Sequence, residues 1–327
     1  MDSVATVLDH LEIGAPTVAA NLAMYPLLMP EESDPGYLTL DEALAAGLAS
    51  VTEVSESGSV PELLVKNQAA KPLLILDGEE LVGAKQNRIV NLTILVAAKQ
   101  DLRIPVSCVE AGRWVRRSHA FAASGRAHYA SGRARKLEQV NCCLHESGAR
   151  MADQGDVWRD IDLKAARMKA PSPTGAAAEM YSKASAKLGE FQERLEAQPR
   201  QAGALFTING AVVGLDLFDS PSTWRKQMHK LVQSYGLDAL DLAGAPVSDA
   251  RPQPKRFLTT LKKAAQERFK AIGLGDDVRI NGGNVAGGAL TVDDRVVHLV
   301  AFPREPRASR RTPGDVPPLD EDSGIVF

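Results

Sequence analysis

The chain has 327 residues, enough for one large domain or two modest ones, and its 44% hydrophobic and 24% charged content can supply a packed core. Only 5% of residues are aromatic, so Ala, Val and Leu must fill that core. A formal net charge of -3 argues against a general nucleic-acid binder, and three cysteines, two of them adjacent as Cys142-Cys143, offer neither a disulfide framework nor a zinc spacing.

In chain order, the opening MDSVATVLDHLEIG carries acids where a signal peptide needs basic residues, and no apolar run reaches membrane-spanning length. With reduced thiols, this predicts a cytoplasmic protein with no membrane partner. LAMYPLLMP predicts a strand stopped by Pro30. Thr39, followed by Leu40-Asp41-Glu42, predicts an N-cap, first-turn acids and a short helix through Leu48. Residues 50–54 and 62–67 alternate as strands do. Residues 73–76 and Leu81-Val82 flank Asp77-Gly78, a favoured two-residue turn, which predicts a hairpin; residues 92–97 and 102–109 predict two more strands. Beyond Trp114 the chain is rich in Arg, Ala, Ser and Gly, with a helix predicted over residues 127–140. Further helices are predicted over residues 155–168, from a Thr174 cap through about Glu196, and over residues 255–271. Another opens at Asp219-Ser220-Pro221-Ser222, with Ser or Asp as cap, and carries Trp224, Met228, Leu231 and Val232. Two more hairpins are predicted at Asn209-Gly210 and Asp293-Asp294. After Pro303 a basic, then acidic and Pro-rich stretch predicts a disordered tail over residues 306–327, which leaves residues 1–305 as the folded domain.

The chemistry concentrates in residues 73–114. Lys85, Arg88 and Arg113 can neutralise a phosphate or carboxylate, Gln86 and Asn87 can bond a ribose or amide, and Glu79 or Glu110 can act as a catalytic base. Four large polar residues, Lys85 to Arg88, between two apolar runs exceed what a turn needs. The plainer reading is a polar loop in which Arg88 is salt-bridged to Glu79 or Glu80. Cys108 beside an Arg-rich segment has the neighbours of an activated thiol, but its apolar strand favours simple burial. Between Ser107 and Leu137 six Arg, one Lys and two His face one acid, Glu110. The segment from Arg113 to Arg135 can line a phosphate pocket, with Ser118, Ser124 and Ser131 as donors, or form a solvated helix face or subunit contact. NGGNVAGG (residues 281–288) lacks phosphate-loop spacing and reads as a turn. Asp219 reads as a helix cap, His298 as a packed core residue, and no histidine spacing fits a metal site.

ILDGEELVGAKQNR, IPVSCVEAGRW, SPTG at residues 172–175 and INGAVVGLDLFDSPSTWRKQMHKLVQSYGLDAL together resemble the motifs of the ARPP family, the domain associated with ADP-ribosylglycohydrolases and rhodanese-phosphatases. The resemblance runs from about residue 10 to Phe302. It implies a link to ADP-ribose and NAD metabolism through the company the family keeps. It also implies that Gly78, Glu79, Lys85, Gln86, Asn87, Arg88, Glu110, Gly112, Arg113 and Trp114 belong to one shared site.

The expected fold is α+β: antiparallel hairpins packed with a central group of helices, without the alternation of a doubly wound sheet. The expected function is binding of an ADP-ribose, NAD-derived or ribose-phosphate metabolite, with hydrolysis or transfer at a phosphoester or N-glycosidic bond as the reaction if the protein is an enzyme. Glu79 and Glu110 would be catalytic, and Lys85, Gln86, Asn87, Arg88, Arg113 and Trp114 would bind ligand. No metal-ligand set is indicated, and the sequence leaves any cofactor open. The alternative is a non-catalytic assembly or adaptor protein, in which the same clusters form contacts within a homo-oligomer or with another partner. A nucleic-acid role has only the basic 107–137 segment behind it.

Overall fold

The computed structural model describes residues 3–30, 34–55, 61–115, 117–245 and 252–304. The predicted tail over residues 306–327 lies outside the described residues. The fold is α+β: the described residues form a nine-stranded antiparallel sheet, a closed six-stranded barrel, a three-stranded sheet and seven helices.

Two of the predicted hairpins build the middle of the large sheet. Gln201–Ile208 turns through Asn209-Gly210 into Ala211–Phe218, and Val285–Val292 turns through Asp293-Asp294 into Arg295–Pro303. All four turn residues have positive φ, the conformation a two-residue turn needs to match strand twist. Every residue of Gln201–Ile208 is buried because both faces of the sheet are covered. One face packs against the central helices Ala130–Ser147, Gln154–Arg167, Ala178–Arg194 and Pro221–Asp241, with Phe206, Trp224 and Tyr235 in the shared core. The other is covered by the helices Ser3–Asp9 and Pro254–Lys263, through Val4, Leu258 and Leu261. Thr39 closes a capping box with Glu42 on the helix Leu40–Ala45, as its sequence predicts.

Three predictions are corrected. Residues 73–76 and 79–83 do not pair with each other. Leu73–Ile75 joins Ile94–Val96 and Leu38–Thr39, whereas Glu79–Gly83 enters the barrel beside Arg88–Val90 and Ala120–Ala127. Asp77-Gly78, with Gly78 at φ 75°, carries the chain from one sheet into another. The helix predicted over residues 255–271 ends at Lys263; Ala265–Lys270 is an edge strand paired with Asp276–Asn281, so sheet pairing outweighs the helical periodicity of its second half. Thr174 caps no helix: the next one, Ala178–Arg194, starts from Ala177, and the Thr174 hydroxyl is engaged elsewhere.

The sheets are joined by buried charge. Arg133 and Lys136, one turn apart on Ala130–Ser147, both reach Asp77; Arg133 also grips Asp216 of the large sheet with two bonds of 2.6 and 3.1 Å. Lys136 donates to Val90 and Asn91 carbonyls at 2.8 Å each. Tyr235 Oη donates to Asp216 at 2.8 Å, and His298 bridges Asp216 (3.2 Å) to Thr93 (2.7 Å). Burial would raise the Asp216 carboxyl, but Arg133 outweighs it and holds the group well below the usual carboxylate range. His298 is therefore buried as expected, but within a polar network.

Candidate functional site

Arg88 opens the barrel strand Arg88–Val90, opposite Leu81 on one side and Cys108 on the other. It shares a strand face with Val90, which lies in the barrel's apolar core. The guanidinium is thus held at one end of the barrel, fully buried. Its Nη1 donates to Gln86 Oε1 at 3.0 Å, and Cys108 Sγ donates to the same oxygen at 3.0 Å. The Trp114 ring covers both Arg88, 5.7 Å from its centroid, and Lys85, at 5.2 Å. Arg88 forms no salt bridge among the described residues, and its Nε and Nη2 have no hydrogen-bond partner. Nearby Glu53, at the end of Ala49–Glu53, also leaves Oε2 unpartnered. Burial weakens the proton affinity of Arg88 and pushes the Cys108 thiol up to about 11, so this thiol is protonated at neutral pH.

Glu110 sits beside this group. Arg113 Nη2 lies 2.7 Å from its Oε2, Thr174 Oγ1 donates to Oε1 at 2.9 Å, and the Asn87 amide donates at 3.3 Å. Burial would raise the Glu110 carboxyl, but these donors, Arg113 first, hold it below its usual range. Arg113 also donates to Asn87 Oδ1 and to the Ala84 carbonyl, each at 3.0 Å. Gly112 allows the close approach: a Cβ there would lie 3.1 Å from Thr174 Cα, and its amide donates to the Thr174 carbonyl at 2.8 Å. The SPTG segment is thereby seated against residues 110–112. Gln154 completes the frame by bonding both the amide and the carbonyl of Cys108, at 2.7 and 2.9 Å.

Seven of the eight predicted site residues (Lys85, Gln86, Asn87, Arg88, Glu110, Arg113 and Trp114) therefore meet at the barrel mouth. Glu79 does not bond to any of them. It is fully buried against Lys230 of Pro221–Asp241, which also reaches Asp41 at 2.7 Å, while Glu79 Oε2 accepts the Leu76 amide at 3.0 Å. Glu80 pairs with Arg126 at 2.9 Å, so neither acid is the partner of Arg88. Asp219 is not the cap of its helix; Ser220 is, and Asp219 accepts from Tyr37 Oη at 2.6 Å and faces Arg295 at 3.2 Å. Glu53 and Gln154 were not legible as site residues, since one ends an ordinary strand and the other opens an ordinary helix.

A cavity of about 770 Å³ lies between the helices Ala130–Ser147, Gln154–Arg167 and Pro221–Asp241. Ser131 and Arg135 of the predicted basic segment line it, whereas Ser118 instead accepts the Ala84 amide. Among the described residues, no group of His, Cys, Asp and Glu could hold a metal ion, and no helix is long and apolar enough to cross a membrane.

Residues 10–302 match the family model described as the ARG and Rhodanese-Phosphatase-superfamily-associated Protein domain, ARPP-1. No curated protein and no solved structure matches the chain.

Proposed function

The chain belongs to the ARPP-1 family, a domain associated with ADP-ribosylglycohydrolases and rhodanese-phosphatases, and on that premise we propose that it binds a ribose-phosphate metabolite of the ADP-ribose or NAD-derived class at the barrel mouth. One observation carries this reading: Arg88 is a fully buried cation with no salt bridge among the described residues, and two of its donors are unused. Burying an unpaired charge costs several kcal/mol, and a ligand phosphate that supplies the missing charge and two acceptors would offset it. Trp114, 46% exposed, is the cover that must swing aside. Gln86 and Asn87 would then face the sugar.

The carboxylates favour binding over hydrolysis. Glu110 is neutralised by Arg113 and held low, the opposite of the raised group a general base needs, and Glu79 is tied to Lys230 away from the other site residues. A second reading, contact with a partner or another copy of the chain, draws on the adjacent exposure of Trp114 and Val115, at 46% and 71%.

The test is a thermal-shift series with ADP-ribose, NAD and ribose 5-phosphate on the wild type, Arg88→Met and Trp114→Ala. A ligand at about 100 times its Kd should stabilise the wild type by about 2.7 kcal/mol. Arg88→Met should abolish that shift without loss of stability in the free chain. A shift untouched by Arg88→Met would overturn the assignment. An Arg88→Met chain that unfolds, with no ligand shift in the wild type, would make Arg88 structural and favour the contact reading.

A further inference from the structure

The 770 Å³ cavity takes no part in the barrel-mouth site, yet its size is that of a small-molecule pocket. Its wall and the barrel mouth share the strand Arg88–Val90: Ile89 lines the cavity, and Arg88, next to it, turns into the barrel. The two spaces are back to back.

Three arginines stand at the cavity's rim. The side chains of Arg135, Arg159 and Arg167 are 58%, 67% and 54% exposed, and each rests on an aspartate: Asp160, Asp156 and Asp241 respectively. Each of these carboxylates keeps another donor if the arginine leaves; Gln139 Nε2 donates to Asp156 at 3.1 Å. Tyr129 Oη donates to Asp160 at 2.8 Å, and Lys164 donates to Asp241 at 2.9 Å. The Arg159–Asp156 pair is exposed on both sides and holds weakly, so its guanidinium can turn to a better acceptor at little cost. The Asp160 and Asp241 side chains are largely covered, and they keep Tyr129 and Lys164 when Arg135 and Arg167 turn.

Beside the arginines part of the wall is apolar; Glu138, Gln139 and Asp238 also line it, Asp238 being bonded to Ser131 and Lys164. Leu163 and Leu242, both lining the cavity, are 56% and 43% exposed, and Val157 and Val212 continue the surface inward. His128 lies deeper, 4% exposed, and its ring has no hydrogen-bond partner among the described residues. Burial, together with Lys136, Lys164 and Arg133, keeps this imidazole neutral, so it has one donor and one acceptor unused. Gly132 leaves room for the ring, since a Cβ there would lie 2.5 Å from Nε2.

A rim of rotatable arginines, a partly apolar wall and an unpartnered neutral imidazole together match a ligand with a phosphate, a flat apolar ring and sugar hydroxyls. We propose that the cavity is a second ligand site, for a nucleoside phosphate: Arg135, Arg159 and Arg167 take the phosphates, Leu163 and Leu242 the base, and His128 a sugar hydroxyl.

Calorimetric titration of the full chain with ADP, and separately with inorganic phosphate and adenosine, tests this. ADP should bind the wild type more tightly than either fragment. The double variant Arg135→Ala/Arg167→Ala should weaken ADP about tenfold or more, because charge-assisted contacts are lost. Ala134→Trp, which fills the cavity, should abolish binding; should that chain not fold, Arg159→Ala, exposed on the surface, replaces it and should also weaken ADP. Arg88→Met should bind ADP as the wild type does. No heat with ADP at millimolar concentration, or binding lost in Arg88→Met but kept in the rim variants, overturns the second site. A ribose 5-phosphate shift lost only in Arg88→Met would belong to the barrel mouth, so the two assignments fail separately.

Discussion

Lys230→Met removes the only cation bonded to Glu79 among the described residues. Both side chains are fully buried, and Glu79 would keep only the Leu76 amide at 3.0 Å. Asp41, the other partner of Lys230, is 34% exposed and can turn to water. Burial would lower the Lys230 pKa, but Glu79 and Asp41 outweigh it and raise it above the ordinary lysine value. A raised folded-state pKa means that the pair's contribution is complete below the unfolded value and is lost only as pH climbs through the folded one. At pH 7 the lysine is therefore fully charged, and removing it from the buried carboxylate should cost about 3–5 kcal/mol. Glu79→Gln strands the ammonium less severely, since Asp41 remains. The double variant Glu79→Gln/Lys230→Met buries no charge at this point and should recover most of the loss, which gives a coupling energy of about 2 kcal/mol or more. Urea unfolding of all four chains, followed by circular dichroism and tryptophan fluorescence, measures it. Single-variant losses that simply add, or a Lys230→Met cost below about 1 kcal/mol, would show that Glu79 is not held by this lysine and restore it as a candidate base.

Burial pushes the Asp219 carboxyl up to about 6, against the pull of Tyr37 and Arg295. The folded chain then binds more protons than the unfolded chain between about pH 4 and 6, so this group's contribution falls as pH rises through that window. Asp219→Asn should match the wild type at pH 4 and exceed it by on the order of 2 kcal/mol at pH 7. A difference that does not change with pH would refute this. Gly78→Ala places a Cβ at φ 75° and 2.9 Å from Arg133 Cγ and Cδ, and should cost roughly 2 kcal/mol in urea unfolding; a neutral result would contradict the crossing geometry. Native iodoacetamide labelling at pH 7.5 should modify exposed Cys142 and spare buried Cys108, whose thiol is protonated; rapid labelling of Cys108 by peptide mapping would argue for an activated thiol after all.

What could be read from the residues was local. Asn209-Gly210, Asp293-Asp294 and the Thr39 capping box each work through neighbours within a few residues, and each is found where its chemistry places it. Asp77-Gly78 carries the same turn signal, but which strands pair across it is decided by the barrel, whose closure joins residues 49–53 to 120–127 and 101–108 to 88–90. No periodicity reports such pairings. The site was legible to the same extent. Lys85 to Arg88 and Glu110 to Trp114 stood out as polar groups at strand ends, and they converge. Glu79 did not join them, because its partner, Lys230, lies 151 residues away on a helix. Arg133 and Lys136 were not legible as a joint between the sheets, because their acceptors come from two distant strands and a turn.

That helix has a further consequence. Withdrawing Ala130–Ser147 would expose Asp77 at the barrel and Asp216 in the large sheet at the same moment, since Arg133 serves both. Neither sheet can open alone without paying for a stranded charge in the other. Amides of Gln201–Ile208 and of Arg88–Val90 should accordingly exchange with solvent through one shared opening event, at equal free energy, although the strands belong to different sheets.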